Sequence, residues 1–152
     1  MNIDEVDSRI LAELQADARR ANKALAEAVA VSPPTMINRV RSLEERGVVT
    51  GYHASVDPRA LNRHVEAIVS VRLSPKTPDA VQAFIDAVWV MEETIGVTLL
   101  TGGVDVQVHI SAPDIKSLGD TVLGRIAGAP HVADEQTNII LEHRSKTVLG
   151  PL

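Results

Sequence analysis

The chain contains no cysteine. Disulfides, cysteine-ligated zinc and thiol catalysis are therefore excluded. Aromatic residues are scarce, with Tyr52, Phe84 and Trp89 the sole examples of their kinds. A core must be built from Val, Ile, Leu and Ala, and a platform for stacking single-stranded bases lacks the rings it needs. No apolar run approaches the roughly 20 residues that span a bilayer. The first residues, MNIDEVDSR, are charged and have none of the apolar stretch of a signal peptide. A soluble, cytoplasmic protein with no membrane partner is expected. Nucleophile-elbow, P-loop and dinucleotide fingerprints are missing as well. His53, His64, His109, His131 and His143 are far apart and show no metal-ligand spacing. Surface or interface positions account for them, and neither a metal nor a cofactor is expected.

What is present divides near residue 60. The 152 residues have room for one large domain or two small ones. Net charge is −5, but it is unevenly spread. Between Ala18 and Arg46 the basic residues Arg19, Arg20, Lys23, Arg39, Arg41 and Arg46 outnumber Glu27, Glu44 and Glu45 by three. A local basic face matters more for phosphate contact than the charge of the whole chain.

Before residue 60 the apolar rhythm is helical. Val6, Ile10 and Leu14 form one stripe, with Asp4 as its N-cap. A second short helix fits NKALAEAVA, capped by Asn22, with Leu25 and Val29 inward. A third begins at SPPTMINRVRSLEERG, where two prolines stand at its head. The first N–H groups of a helix have no intrahelical partner, so proline there loses no hydrogen bond. Either Ser32 caps this helix or Pro33 lies just outside it, since a residue preceding proline avoids the α region. Met36, Ile37, Val40, Leu43 and the stem of Glu44 fall on one side, and the helix is rotated with Ile37, Val40 and Leu43 inward. Thr35, Asn38, Ser42 and Glu45 then point outward, flanked by Arg39 and Arg41. Asn can pair with adenine, Arg with guanine or phosphate, and Thr with a thymine methyl. A solvated helix whose charges serve solubility is the alternative. Gly47 sits at the C′ position, and VVTGYHASVD reads as a strand or short ribbon. Three helices and a ribbon make a winged helix-turn-helix.

After SVDPRALNRH, read as a linker, strands and helices alternate. VEAIVSVRL is a strand with Val65, Ala67, Val69, Val71 and Leu73 on one face. A helix over TPDAVQAFIDAV has Thr77 as cap, Pro78 in its first turn, and Val81, Phe84, Ile85 and Val88 buried. IGVTLLTGGVDVQVHI is a hairpin turning at Gly102-Gly103, with Val104, Val106, Val108 and Ile110 on one face of its second arm. A helix with Ile115, Leu118, Val122 and Ile126 inward and a last strand over HVADEQTNIIL follow. The order is the split βαβ, or ferredoxin-like, sandwich. The fold class is α+β. Residues 1–57 form the helix-turn-helix domain with its ribbon, 58–64 the linker, and 65–152 the ferredoxin-like domain. Two helices cover one face of the sheet. The other face would carry Ile68, Asp105, Gln107 and His109, a mixture suited to pairing two sheets in a dimer.

These residues together resemble the Lrp/AsnC family of bacterial and archaeal transcription regulators, also called feast/famine regulators. IDEVDSRILAELQADAR resembles the family's opening. The pattern Ser32, Arg39-Val40, Leu43-Glu44, Gly47-Val48-Val49 and Gly51-Tyr52 resembles its helix-turn-helix and ribbon. LLTGGVDVQVHI resembles the T-G-x-x-D turn of its effector domain. The resemblance implies a regulator, not an enzyme. It implies double-stranded DNA bound by dimers through the third helix, at Ser32, Pro34, Thr35, Asn38, Arg39, Arg41 and Ser42. It implies homodimers built from the ferredoxin-like domains, often assembled into octamers as tetramers of dimers. It also implies an amino acid or related small metabolite as effector, near Thr101, Gly102, Gly103, Val104 and Asp105. Thr98, Leu100 and Thr137 are added as pocket lining from neighbouring strands.

Two positions depart from the family pattern. Ala30 stands where a glycine is usual between the second and third helices. Gly103 and Val104 stand where an acid and an aromatic are frequent, which removes one carboxylate for an effector's amino group. The Gly-Gly pair is open to two readings. It is a plain hairpin turn, or bare backbone that a zwitterion can approach closely. A sirohaem-decarboxylase-like enzyme on the same two-domain build is the alternative function.

Overall fold

The computed structural model describes residues 3–152. The chain divides into two units, Met1–Ser55 with Arg144–Leu152, and Val56–His143. The sequence-based expectation places a boundary after residue 57 and assigns 65–152 to one domain. The final segment differs, because Arg144–Leu152 belongs with the helical unit and not with the sheet. Gln15 ties it there: its amide accepts from the Leu149 N–H at 2.9 Å and donates to the Leu149 carbonyl at 3.0 Å.

The first unit has three helices: α1 (Glu5–Ala16), α2 (Asn22–Val29) and α3 (Pro33–Glu45). Asp4 caps α1 as expected, accepting from the Asp7 N–H at 2.7 Å. Ile10, Leu14, Leu25, Ala26, Val29, Met36 and Leu43 form the core. Three local assignments change. Asn22 lies inside α2, whose N-cap is Ala21 without a side-chain bond. Ile37 points out at 43 % exposure, while Met36, expected on the same side, is fully buried. The residues expected as strand or ribbon, Val48 to Asp57, form no strand in the described chain. Strand conformation needs a ladder partner, and none is provided within this unit. Tyr52 instead donates to Glu44 at 2.8 Å, holding the segment against α3.

The turn between α2 and α3 keeps the left-handed conformation with alanine in it: Ala30 has φ 61° and ψ 48°. A Cβ there costs about 1–2 kcal/mol. At the other end of α3, Gly47 has φ +67°. Val48 N–H bonds back to the Leu43 carbonyl at 2.9 Å, as a glycine-terminated helix end requires.

The second unit runs β1 (Val65–Leu73), α4 (Pro78–Trp89), β2 (Thr94–Leu99), β3 (Val106–Ala112), α5 (Ile115–Thr121) and β4 (Val132–Ile139). A short 3-10 turn, Pro58–Leu61, precedes β1. The sheet is antiparallel with order β2-β3-β1-β4, the split βαβ arrangement. Ala67, Val69, Val71, Val106, Val108 and Ile110 face Phe84, Val88, Leu118, Val122 and Ile126. Ile115 departs from expectation at 64 % exposure. Inward residues spaced by four drift around an α-helix. A π turn over Val122–Ile126 widens the last turn and returns Ile126 to the core. Two β3 assignments change. Val104 and Asp105 precede the strand, and Asp105 is buried, not displayed on the open face. That face carries Ile68, and it joins His109 to Glu66 at 3.1 Å and Gln107 to Ser70 at 3.3 Å. Among the described residues no helix is long and apolar enough to cross a membrane.

Candidate nucleic-acid interface and effector turn

The head of α3 answers the proline question. Ser32 is the N-cap, with Pro33 and Pro34 as the first two helical residues. Its Oγ accepts from the Thr35 N–H at 3.3 Å and lies 2.7 Å from the Thr35 hydroxyl. Both hydroxyls are thus engaged with each other, at the exposed tip. The outward strip of the helix is Pro34, Ile37, Asn38, Arg41 and Glu45, all exposed. Ser42, assigned outward, is half-buried beside it. The side chains of Asn38 and Arg41 have no hydrogen bond or ion pair to any described residue.

Arg39 lies apart from that strip. Its Nη1 is 2.7 Å from Asp4 Oδ2 and 2.7 Å from Asp7 Oδ1. The Asp7 side chain is only 9 % exposed, and Arg46 approaches its other oxygen at 3.6 Å. Asp4 titrates below its ordinary range, first because it accepts the Asp7 N–H and then because it bonds Arg39; the same two carboxylates raise the Arg39 guanidinium. Arg20 pairs with Glu13. Of the six basic side chains in this segment, Arg19, Lys23 and Arg41 remain without an ion pair among the described residues. The basic face is narrower than its sequence count.

The second candidate region is the connection from β2 to β3. It is six residues long (100–105), not a two-residue turn. The Leu100 N–H closes it onto the Asp105 carbonyl at 2.8 Å. Gly102 has φ +115°, a conformation side chains rarely adopt, and a Cβ on Gly103 would meet nothing within 4 Å. Thr101, Gly102 and Gly103 are exposed. Asp105 is already committed, accepting from the Leu73 N–H at 2.8 Å and from Lys76 Nζ at 2.6 Å. Those two contacts, the N–H first, hold its carboxyl below the ordinary range. Asp105 thus pins the turn to the loop after β1, and its carboxylate does not face solvent.

The pocket lining is only partly brought together. Thr98 and Leu100 adjoin the turn. Thr137 does not: it sits on β4, and β2 and β4 are opposite edges of the sheet. Its register partner is Val69, so it also faces the helical layer, whereas Thr98 pairs with Gln107 on the open face. Strand adjacency cannot be read from strand order in a fold with crossover connections.

Sequence reasoning missed Ile37, whose exposure places an apolar side chain on the outward strip. A helix wheel holds the signal, because Met36 fits the stripe of Val40 and Leu43 better. It also missed the carboxylates that meet Arg39, because they lie on another helix.

Comparison with known proteins follows the same division. The AsnC-type helix-turn-helix domain model matches residues 3–44, and the Lrp/AsnC ligand binding domain model matches residues 66–148. The chain is 36 % identical over 142 residues to the HTH-type transcriptional regulator AldR of Mycolicibacterium smegmatis, covering 93 % of this chain and 83 % of that one. It is 34 % identical to the leucine-responsive regulatory protein of Escherichia coli, over 93 % of this chain and 86 % of the other. Among solved structures, a transcriptional regulator from Neisseria meningitidis in complex with L-Met superposes with a TM-score of 0.90. Its identity is 30 %, and the match covers 97 % and 96 % of the two chains.

Proposed function

We propose that this chain, which belongs to the Lrp/AsnC family of DNA-binding transcriptional regulators, reads particular duplex sequences through the outward strip of α3. Its output is set by an amino acid or related small metabolite. The relatives are named as transcriptional regulators, so the chain is not an enzyme, and the sirohaem-decarboxylase alternative falls. The observation that carries the reading is the strip itself. Asn38 and Arg41 are exposed, adjacent and uncommitted, which is how side chains that meet bases and phosphates must wait. Pro34 and Ile37 beside them offer apolar contact for a thymine methyl.

The effector reading draws support from a relative solved with L-Met and another named for leucine. The exposed β2–β3 turn, whose glycines leave its backbone open, is the region we assign to it. With Asp105 already bonded, backbone N–H groups and not a side-chain carboxylate are the contacts this chain offers there. Two copies pair through the open sheet face around Ile68, and such dimers assemble into octamers.

Two measurements test this. Duplex binding followed across salt concentrations should show affinity falling steeply as salt rises; a flat response would end the DNA reading. In a thermal-shift screen, the effector raises the melting temperature because it binds the native state alone. No shift from any amino acid or corresponding oxo acid would remove the effector assignment.

A further inference from the structure

Arg39 and Arg41 stand two residues apart on α3 and look equivalent in the sequence. Their surroundings are not equivalent. Arg41 is exposed and has no partner among the described residues. The Arg39 Nη1 is shared between two carboxylates of the α1 start, 35 and 32 residues away, at 2.7 Å each. Every oxygen of those carboxylates has a partner. Asp4 Oδ1 accepts from the Asp7 N–H at 2.7 Å, and Asp7 Oδ2 is approached by Arg46 at 3.6 Å. Turning Arg39 to a phosphate would strip a nearly buried carboxylate of its closest cation, which is strongly unfavourable.

The position of the contact matters as much as its chemistry. The inward stripe of α3 is narrow, with Met36 and Leu43 its buried residues. Such a stripe fixes where the helix lies better than how it is rotated. Arg39 falls to one side of that stripe. It therefore resists rotation of the helix about its axis, the motion that would swing Asn38 off its base edge and Arg41 off its phosphate. Misplacement by about 1 Å is enough to lose a bidentate contact of this kind.

We propose that Arg39 is a positioning residue for DNA recognition: bridged to Asp4 and Asp7, it fixes the rotation of α3 that presents Ile37, Asn38 and Arg41 to the groove, and it makes no phosphate contact. The proposal rests on α3 being the DNA-contacting helix. It assigns the sequence-independent attraction to Arg19, Lys23 and Arg41 instead.

The test uses the full-length protein and two probes: a duplex selected from a random pool with the unmodified protein, and poly(dI-dC). Arg39→Ala is expected to lower the preference for the selected duplex about tenfold, the loss of one good base contact. The salt slope on poly(dI-dC) is expected to stay unchanged. Asp4→Asn is the second variant, since asparagine keeps the helix cap while removing the charge. It should lower the preference in the same direction, again without altering the slope, and it decides the matter if Arg39→Ala fails to fold. A purely structural role would reduce the folded fraction and leave the preference of the folded protein intact. A slope that falls by about one in Arg39→Ala marks a lost phosphate contact and overturns the proposal. Unchanged preference in both variants overturns it equally. Asn38→Ala and Arg41→Ala run alongside. If neither alters preference or slope, the reading of α3 as the DNA-contacting helix has failed, whatever Arg39 does.

Discussion

Single residues in this protein divide by whether their partners are close in sequence. Ala30 is a local matter. It holds a left-handed conformation that glycine adopts without strain, so Ala30→Gly should stabilise the helical unit by about 1 kcal/mol, measured by thermal unfolding. A loss of stability would mean that the alanine methyl contributes packing the strain argument omits. Asp105 is the non-local counterpart, bonded to the Leu73 N–H and to Lys76. Its carboxyl is held below the unfolded value of 3.8. The stabilisation is therefore complete above that value and is lost as pH falls through the lower folded value. Asp105→Asn should lower the urea midpoint at about pH 7, and the gap to the unmodified protein should narrow at about pH 3. A constant gap would show that charge is not what Asp105 contributes.

At the scale of elements, α3 and the β2–β3 turn show how much the sequence disclosed. The α3 boundaries, its proline start and its glycine end follow from rules about unsatisfied N–H and C=O groups, and the structure agrees with them. Its rotation was less legible. Val40 and Leu43 fit an inward stripe with either Met36 or Ile37, and contact with α1 and α2 chooses Met36. That choice exposes Ile37 and turns Arg39 to the side. Arg41 stays outward under either rotation, so Arg41→Ala should flatten the salt dependence of duplex binding by about one unit of slope. An unchanged slope would place Arg41 away from the phosphates. The turn is longer than its glycine pair implies. Gly102-Gly103 looks like a two-residue hairpin, but β3 begins only at Val106, and the Asp105 carboxylate is held by the Leu73 N–H.

The whole molecule raises the question of what covers the second face of the sheet. Two helices occupy one face, and the other shows Ile68 amid Glu66, Ser70, Gln107 and His109. Such a face is too polar for a core and too apolar at its centre to be idle. If two copies meet there, Ile68→Arg should shift the protein toward monomers in sedimentation, because a C2 contact places two new charges near the axis. Retention of the dimer would move the interface elsewhere.

The sequence by itself determined the kinds of elements and their order. Those depend on periodicity, on caps and on helix breakers, all of which act over a few residues. It also determined that α3 has an outward polar face, because the spacing of its apolar residues leaves one side to solvent. Only the tertiary structure decided which arginine of α3 is free and which is held, because Asp4 and Asp7 reach Arg39 from another helix. It alone set Thr137 at the far edge from Thr98, since the sheet order β2-β3-β1-β4 separates them. It alone engaged Asp105. In each case the deciding contact joins residues distant along the chain, and no local rule can specify which partner a charged side chain meets once the core has closed.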